Sequence, residues 1–220
     1  MKLKFDILLA RAWYSAHREL GLWPDWKEYA RLRKAYGAEG RYYHTWQHIY
    51  ECVKFVQLHY GFQPLVILAL FYHDVVYDVN SKTNEIDSAA EWDKYARSRD
   101  LHRHQFLKLK AVSDMILMTA HHKPEANAPL MFLMMNDADM HVFLCPDHHY
   151  LEYARNIWRE YSSFGREGYL AGRLAFLASV DHKTIFYTHQ ARDLMHHAKA
   201  NLELERVILE EDPDRILMAA

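Results

Sequence analysis

An all-α, single-domain fold is what this sequence predicts, on three observations. Apolar residues recur three and four positions apart almost throughout. Glycine and proline are scarce, at 7 and 6 of 220 residues, which leaves few of the turns that many short strands require. Alternating polar and apolar runs, the mark of half-buried strands, are rare. No repeat, low-complexity tract or internal boundary divides the chain, so residues 1–220 read as one domain.

The elements follow in order. Phe5, Leu8, Leu9, Ala12 and Trp13 form a stripe that Ala16 and Leu20 extend, and Gly21 ends that helix. Pro24 and Asp25 start a second helix carrying Tyr29, Leu32 and Tyr36. Gly37 to Gly40 is a loop. A third helix begins at His44 or Trp46 and runs through Leu58, with Ile49, Val53 and Val56 inward. After Gly61 and Pro64, Leu65 to Tyr72 is apolar on all sides, which places it at the centre of the domain. Asn80 to Asn84 is a polar loop, with Asn84 as the cap of a helix through Ala89, Ala90 and Trp92. Gln105 to His122 forms the next helix, with Leu109, Val112, Ile116 and Thr119 inward. Pro124 and Pro129 bracket a loop, and the segment from Leu130 reaches Asp137 and Asp139. Helices over about 147–161, 168–179 and 188–209 complete the chain.

Composition narrows the function. A formal charge of −2 gives no basic surface for a nucleic-acid polymer or an anionic membrane. No run approaches the roughly 20 apolar residues that span a bilayer. The apolar run Ile7-Leu-Leu-Ala is too short for a signal peptide, and Cys52 and Cys145 form no C-x-x-C pair, so a reducing, cytoplasmic setting is expected. Histidine, at 16, is the compositional outlier.

Three motifs concentrate that chemistry. His44 and His48 lie one helical turn apart, and share one side of any helix that includes both. His73-Asp74 ends the apolar helix, where a charged pair is costly unless paired or metal-bound. Asp137-Ala-Asp139 follows far downstream. Imidazoles and carboxylates in such a set suit a divalent metal with open coordination positions.

The order His, His-Asp, Asp resembles the HD superfamily of metal-dependent phosphohydrolases. Arg41-Tyr-Tyr-His44, His73-Asp-Val-Val-Tyr77, Asn84-Glu85, Asp137-Ala-Asp139 and Tyr169-Leu-Ala-Gly-Arg173 resemble a bacterial branch described as predicted HD phosphohydrolases. The resemblance implies an HD-domain helical bundle with its metal-site core at about 41–180. It implies His48, His73, Asp74 and Asp139 as ligands of one divalent ion, with room for a second. Mn, Mg, Fe, Ni and Co all suit that set. Metal-bound hydroxide would then attack phosphorus in a small phosphorylated metabolite or nucleotide.

The same resemblance distributes the other roles. His44 matches the histidine that protonates the leaving oxygen in cyclic-nucleotide phosphodiesterases, although Thr45 stands where related motifs carry Asn. The catalytic set is then His44 and Asp74, with Glu85 as a further acid; the alternative for Glu85 is a first-turn glutamate favourable to a helix dipole. Arg41 and Arg173 are candidate phosphate contacts, and His122 a phosphate contact or second-metal ligand, preferred over His121. Asp137 reads as an outer acceptor or a cap. Tyr43, Trp46, Tyr72 and Tyr77 flank the ligands as pocket wall or as core. The histidines His102, His104, His148, His149, His182, His189, His196 and His197 show no coherent spacing with the site, although His148-His149 could bind metal weakly.

Two rival functions remain open at the level of sequence. One is a di-iron HD oxygenase using His121 or His122 with Glu85. The other is a silent HD module that binds a nucleotide as a sensor. Acidic Glu203, Glu205, Glu210 and Glu211 on the last helix read as a solvated face, with a homodimer contact as the alternative.

Overall fold

The computed structural model describes residues 2–99, 103–180 and 185–218, and His102 and His182 lie outside them. Among the described residues the regular structure is all helical. The helices are α1 (Lys2–Glu19), α2 (Trp26–Ala35), α3 (Trp46–Tyr60), α4 (Pro64–Tyr72), α5 (Asn84–Arg97) and α6 (Arg103–Met118). They continue as α7 (Leu130–Asp139), α8 (Asp147–Glu160), α9 (Gly165–Ser179), α10 (His189–Arg192), α11 (Met195–Glu211) and α12 (Asp214–Leu217). The chain forms one compact all-α domain. No helix among the described residues is long and apolar enough to cross a membrane.

α4 is the axis of the domain. Pro64 takes its first position, where a missing N–H costs nothing. Every residue from Leu65 to Tyr72 is buried, because α1, α3, α5, α6 and α7 all pack around it. Trp13 of α1 meets Phe71 edge-on at 5.2 Å between ring centres. Beside it, His17 bonds Trp13 carbonyl oxygen and Tyr95 hydroxyl, both at 2.8 Å. Asp25 caps α2 by accepting the N–H groups of Lys27 and Glu28. Gly21 and Gly61, at φ of 73° and 72°, close the turns after α1 and α3 in a region that excludes most side chains.

Several boundaries are set by contacts that periodicity does not record. α3 takes the later of its two expected starts, Trp46, because a glutamate from α8 holds the Tyr42–His44 backbone in a separate turn. Asn84 does not cap α5: its side chain accepts from the N–H of Asp78 and donates to the Asp78 carbonyl, closing the loop on itself. α6 ends at Met118, and His121 and His122 lie in the following turn with His122 at φ 47°. The last long helix is split into α10 and α11, with Thr188 capping the first piece through its hydroxyl.

Candidate metal centre

Three separate elements bring four side chains to one point. α3 carries His48 in its first turn, the end of α4 carries His73 and Asp74, and α7 ends on Asp139. One ligand atom from each lies within 4.8 Å of all the others. The Nε2 atoms of His48 and His73 are 3.2 Å apart, and each lies 3.2 Å from Oδ1 of Asp139. Oδ2 of Asp74 is 3.0 Å from His73 Nε2 and 3.8 Å from His48 Nε2.

The donor set fits a divalent cation. His73 donates Nδ1–H to the carbonyl of Leu70 at 2.9 Å, which leaves its Nε2 lone pair for the centre. Burial opposes charge on both aspartates. Even so, His73 and His44 hold Asp74 below the usual carboxylate range, and His73 and His48 do the same for Asp139. Burial likewise opposes charge on His73, yet the two carboxylates raise it well above an ordinary imidazole. Two partly buried carboxylates thus call for positive charge at this point, which a proton on His73 or a divalent ion can supply.

The neighbouring carboxylates of Asp137 and Asp139 are divided by their backbone. Asp139 faces the cluster. Asp137 is fully buried and accepts the N–H groups of Tyr187 and Thr188 at 2.9 and 2.8 Å, fastening the segment before α10 to α7.

His44 stands beside the cluster on a built support. Oε1 of Glu160, the last residue of α8, accepts the N–H groups of Tyr42, Tyr43 and His44 at 2.7, 2.7 and 2.9 Å. Oε2 accepts from His44 Nδ1 at 2.6 Å and from the Tyr77 hydroxyl at 2.8 Å. Burial alone would depress the His44 imidazole, but the carboxylates of Glu160 and Asp74 outweigh it and raise it. Glu160 resists burial in turn and falls to about 2, chiefly through the charge of His44. Sequence reading missed Glu160: a glutamate ending an amphipathic helix looks like a surface charge, and its partners are 83 to 118 residues away.

The cluster opens into a cavity of about 650 Å³. His44, Asp74 and Asp139 reach it, as do Glu85, His121 and His122. Glu85 therefore faces the same space without joining the four ligand atoms. His122 Nε2 stands 3.8 Å from Oδ2 of Asp139, while its Nδ1 is buried with no hydrogen-bond partner among the described residues.

The two arginines expected at phosphate have other work. Arg41 does not line the cavity. It lies against Tyr36 and Tyr77 and donates to the carbonyls of His44, Asp74 and Val75 at 3.1, 2.7 and 3.0 Å. Arg41 thus clamps the loop beside the site, where carbonyls next to a buried cluster must be satisfied. Arg173 does border the cavity. Its guanidinium is nevertheless held by both oxygens of buried Glu205 at 2.8 and 3.0 Å and by the Tyr153 hydroxyl at 3.2 Å. Glu205 is correspondingly buried, not part of a solvated face. Of the flanking aromatics, Tyr43 and Tyr77 line the cavity, whereas Tyr72 is core.

Comparison with protein-family models, with curated proteins and with solved structures finds no match.

Proposed function

We propose that this chain is a metal-dependent phosphohydrolase acting on a small phosphorylated metabolite or nucleotide. The observation that carries the reading is the convergence of His48, His73, Asp74 and Asp139 beside a carboxylate-supported histidine, at the mouth of one cavity. The order of these ligands along the chain, with its resemblance to HD phosphohydrolases, supports it.

A divalent cation held by the four residues would acidify a water and polarise a phosphoryl oxygen. The chain's own residues supply the rest. Glu160 holds Nδ1 of His44, so the other ring nitrogen is the one available to the cavity. As the water oxygen bonds to phosphorus and the ester P–O bond breaks, His44 Nε2 gives its proton to the departing oxygen. Arg41 ties the His44 turn to the carbonyls of Asp74 and Val75, fixing the acid relative to the ligands. The cavity is far larger than a phosphate group, and Tyr77, Phe143, Tyr153 and Tyr161 give it an aromatic wall suited to a planar or apolar substituent.

Phosphate release from a panel of nucleotides and sugar phosphates tests the reading, using chelator-stripped protein resupplied with Mg, Mn, Fe, Ni or Co. Metal-restored release that disappears in Asp74→Ala is the expected result. Undiminished release by that variant overturns the assignment. His122, so near Asp139, is the feature that favours a second ion and with it an iron oxygenase. Purified protein rich in iron, coloured and inert toward the phosphate panel would select that reading.

A further inference from the structure

Phe164, Gly168, Gly172 and Phe176 follow one another at intervals of four, so they share one face of α9 and of the residue before it. All four line the cavity into which the four-ligand cluster opens. Phe164 is 48% exposed and Phe176 37%, so the cavity wall ends in two open aromatic rings with bare backbone between them. We infer that this face of α9 is the seat of a nucleobase, which makes the nucleoside phosphates the substrate class of the site. The inference rests on the phosphohydrolase reading for the phosphate end alone.

The glycines have no structural reason to be there. Glycine is a poor helix former, and two of them one turn apart weaken α9. Both have helical backbone, so no left-handed conformation requires them. A Cβ at Gly172 would meet nothing within 4 Å beyond its own helical turns, among the described residues. One at Gly168 would make only an ordinary 3.6 Å contact with Cβ of Phe164. No neighbouring helix, then, packs closely through either position. What the missing side chains leave is space on the cavity side, a flat floor about 6 Å long at the helical rise.

The two phenylalanines are held in place. Phe164 stacks on Tyr161, with ring centres 5.9 Å apart and planes at 27°. The guanidinium of Arg173, itself bound by Glu205, lies 4.8 Å from the ring centre of Phe176. Arg173 thus borders the cavity as a support for an aromatic edge. Fixed rings at either end of a bare floor suit a flat ring system, because every base has a face that stacks on an aromatic side chain. Size points the same way. A cavity of about 650 Å³ lies in the range that encloses a ligand of nucleotide size, and a sugar phosphate leaves much of it empty.

Calorimetry of the full chain, resupplied with manganese, tests the inference. The probes are the methylenephosphonate analogues of adenosine 5′-monophosphate and of ribose 5-phosphate, in which a P–C bond resists hydrolysis. Wild type is expected to bind the nucleotide analogue at least about tenfold more tightly, the scale of one base–aromatic stack. Gly172→Leu fills the floor and Phe164→Ala removes one edge, and each cuts that preference about tenfold. Gly172→Leu also raises Tm by roughly 2–4 °C, because leucine is the better helix former and has room there. A firmer helix with a weaker hold on the base is what a structurally required glycine cannot give. Equal binding of the two probes by wild type overturns the inference. So does a preference that survives Gly172→Leu, or a lower Tm in that variant. Phosphate release from the parent compounds separates this from the reading beneath it. Release from ribose 5-phosphate as efficient as from the nucleotide keeps the phosphohydrolase and removes the base seat. Base-dependent binding with no release from either keeps the seat and counts against the phosphohydrolase.

Discussion

Oε2 of Glu160 lies 2.6 Å from Nδ1 of His44, across 116 residues of sequence. The same carboxylate gathers three consecutive backbone N–H groups on its other oxygen. One side chain thus shapes the turn that presents the histidine and favours the charged form of its ring. Glu160 touches neither the cavity wall nor the ligand cluster, so it acts through His44 as a positioning residue.

Replacement of Glu160 by Gln keeps the shape and removes the charge. The carboxylate is a main reason that His44 stays protonated above its ordinary range. The variant is therefore expected to lose activity by about a hundredfold, the lower end of general-acid contributions. The alkaline limb of its pH–rate profile moves to lower pH, because the acid form of His44 is lost earlier. Zinc or manganese content stays at the wild-type value. A uniform fall in rate with an unmoved profile would show that Glu160 only holds the fold.

Removal of metal should cost stability as well as activity. A ligand at a hundred times its Kd stabilises the folded state by about 2.7 kcal/mol. For a domain of this size that is a shift in Tm of roughly 5–10 °C. Thermal unfolding with and without chelator measures it. His73→Ala, which removes a buried ligand from the end of α4, abolishes that shift.

Arg173 and Glu205 form a buried pair with two hydrogen bonds, and the Glu205 side chain is fully buried. Arg173→Met leaves that carboxylate with the Tyr150 hydroxyl but no compensating charge, and is expected to cost about 3–5 kcal/mol in urea unfolding. Adding Glu205→Leu recovers much of the loss, because the uncompensated charge is removed too. A single variant as stable as wild type would show that Glu205 finds water or another donor.

His17 makes the fold sensitive to acid independently of the metal ligands. Burial holds it to about 4, below the ordinary 6.5, so it is neutral between Trp13 and Tyr95. An unfolded chain binds a proton at His17 more readily. Its contribution to stability is therefore fully present above about pH 6.5 and is lost as pH falls toward 4. The shift corresponds to something on the order of 3 kcal/mol. His17→Gln flattens that part of the stability curve, read as the difference between variant and wild type from pH 4 to 7.

Local pattern made the helices legible, and their ends less so. The stripe from Phe5 to Leu20 and the wholly apolar run before His73 appear as helices where periodicity places them, because a helix repeats within a few residues of itself. Asn84 does not cap α5 because its side chain is engaged with the Asp78 backbone, and Glu160 decides which of its two expected starts α3 takes.

By itself the sequence determined an all-α chain in which a buried helix must end on His73 and Asp74, which follows from residue type, short spacing and the cost of burying charge. His48 and Asp139 entered as their partners through a resemblance in motif order. Only the tertiary structure decided the rest. It turned Arg41 from the cavity toward loop carbonyls and matched Arg173 to Glu205. It set Glu160 behind His44. Ion pairs and hydrogen bonds depend on angles and separations of a few ångströms between elements, and no periodicity within one element records which distant element will arrive there.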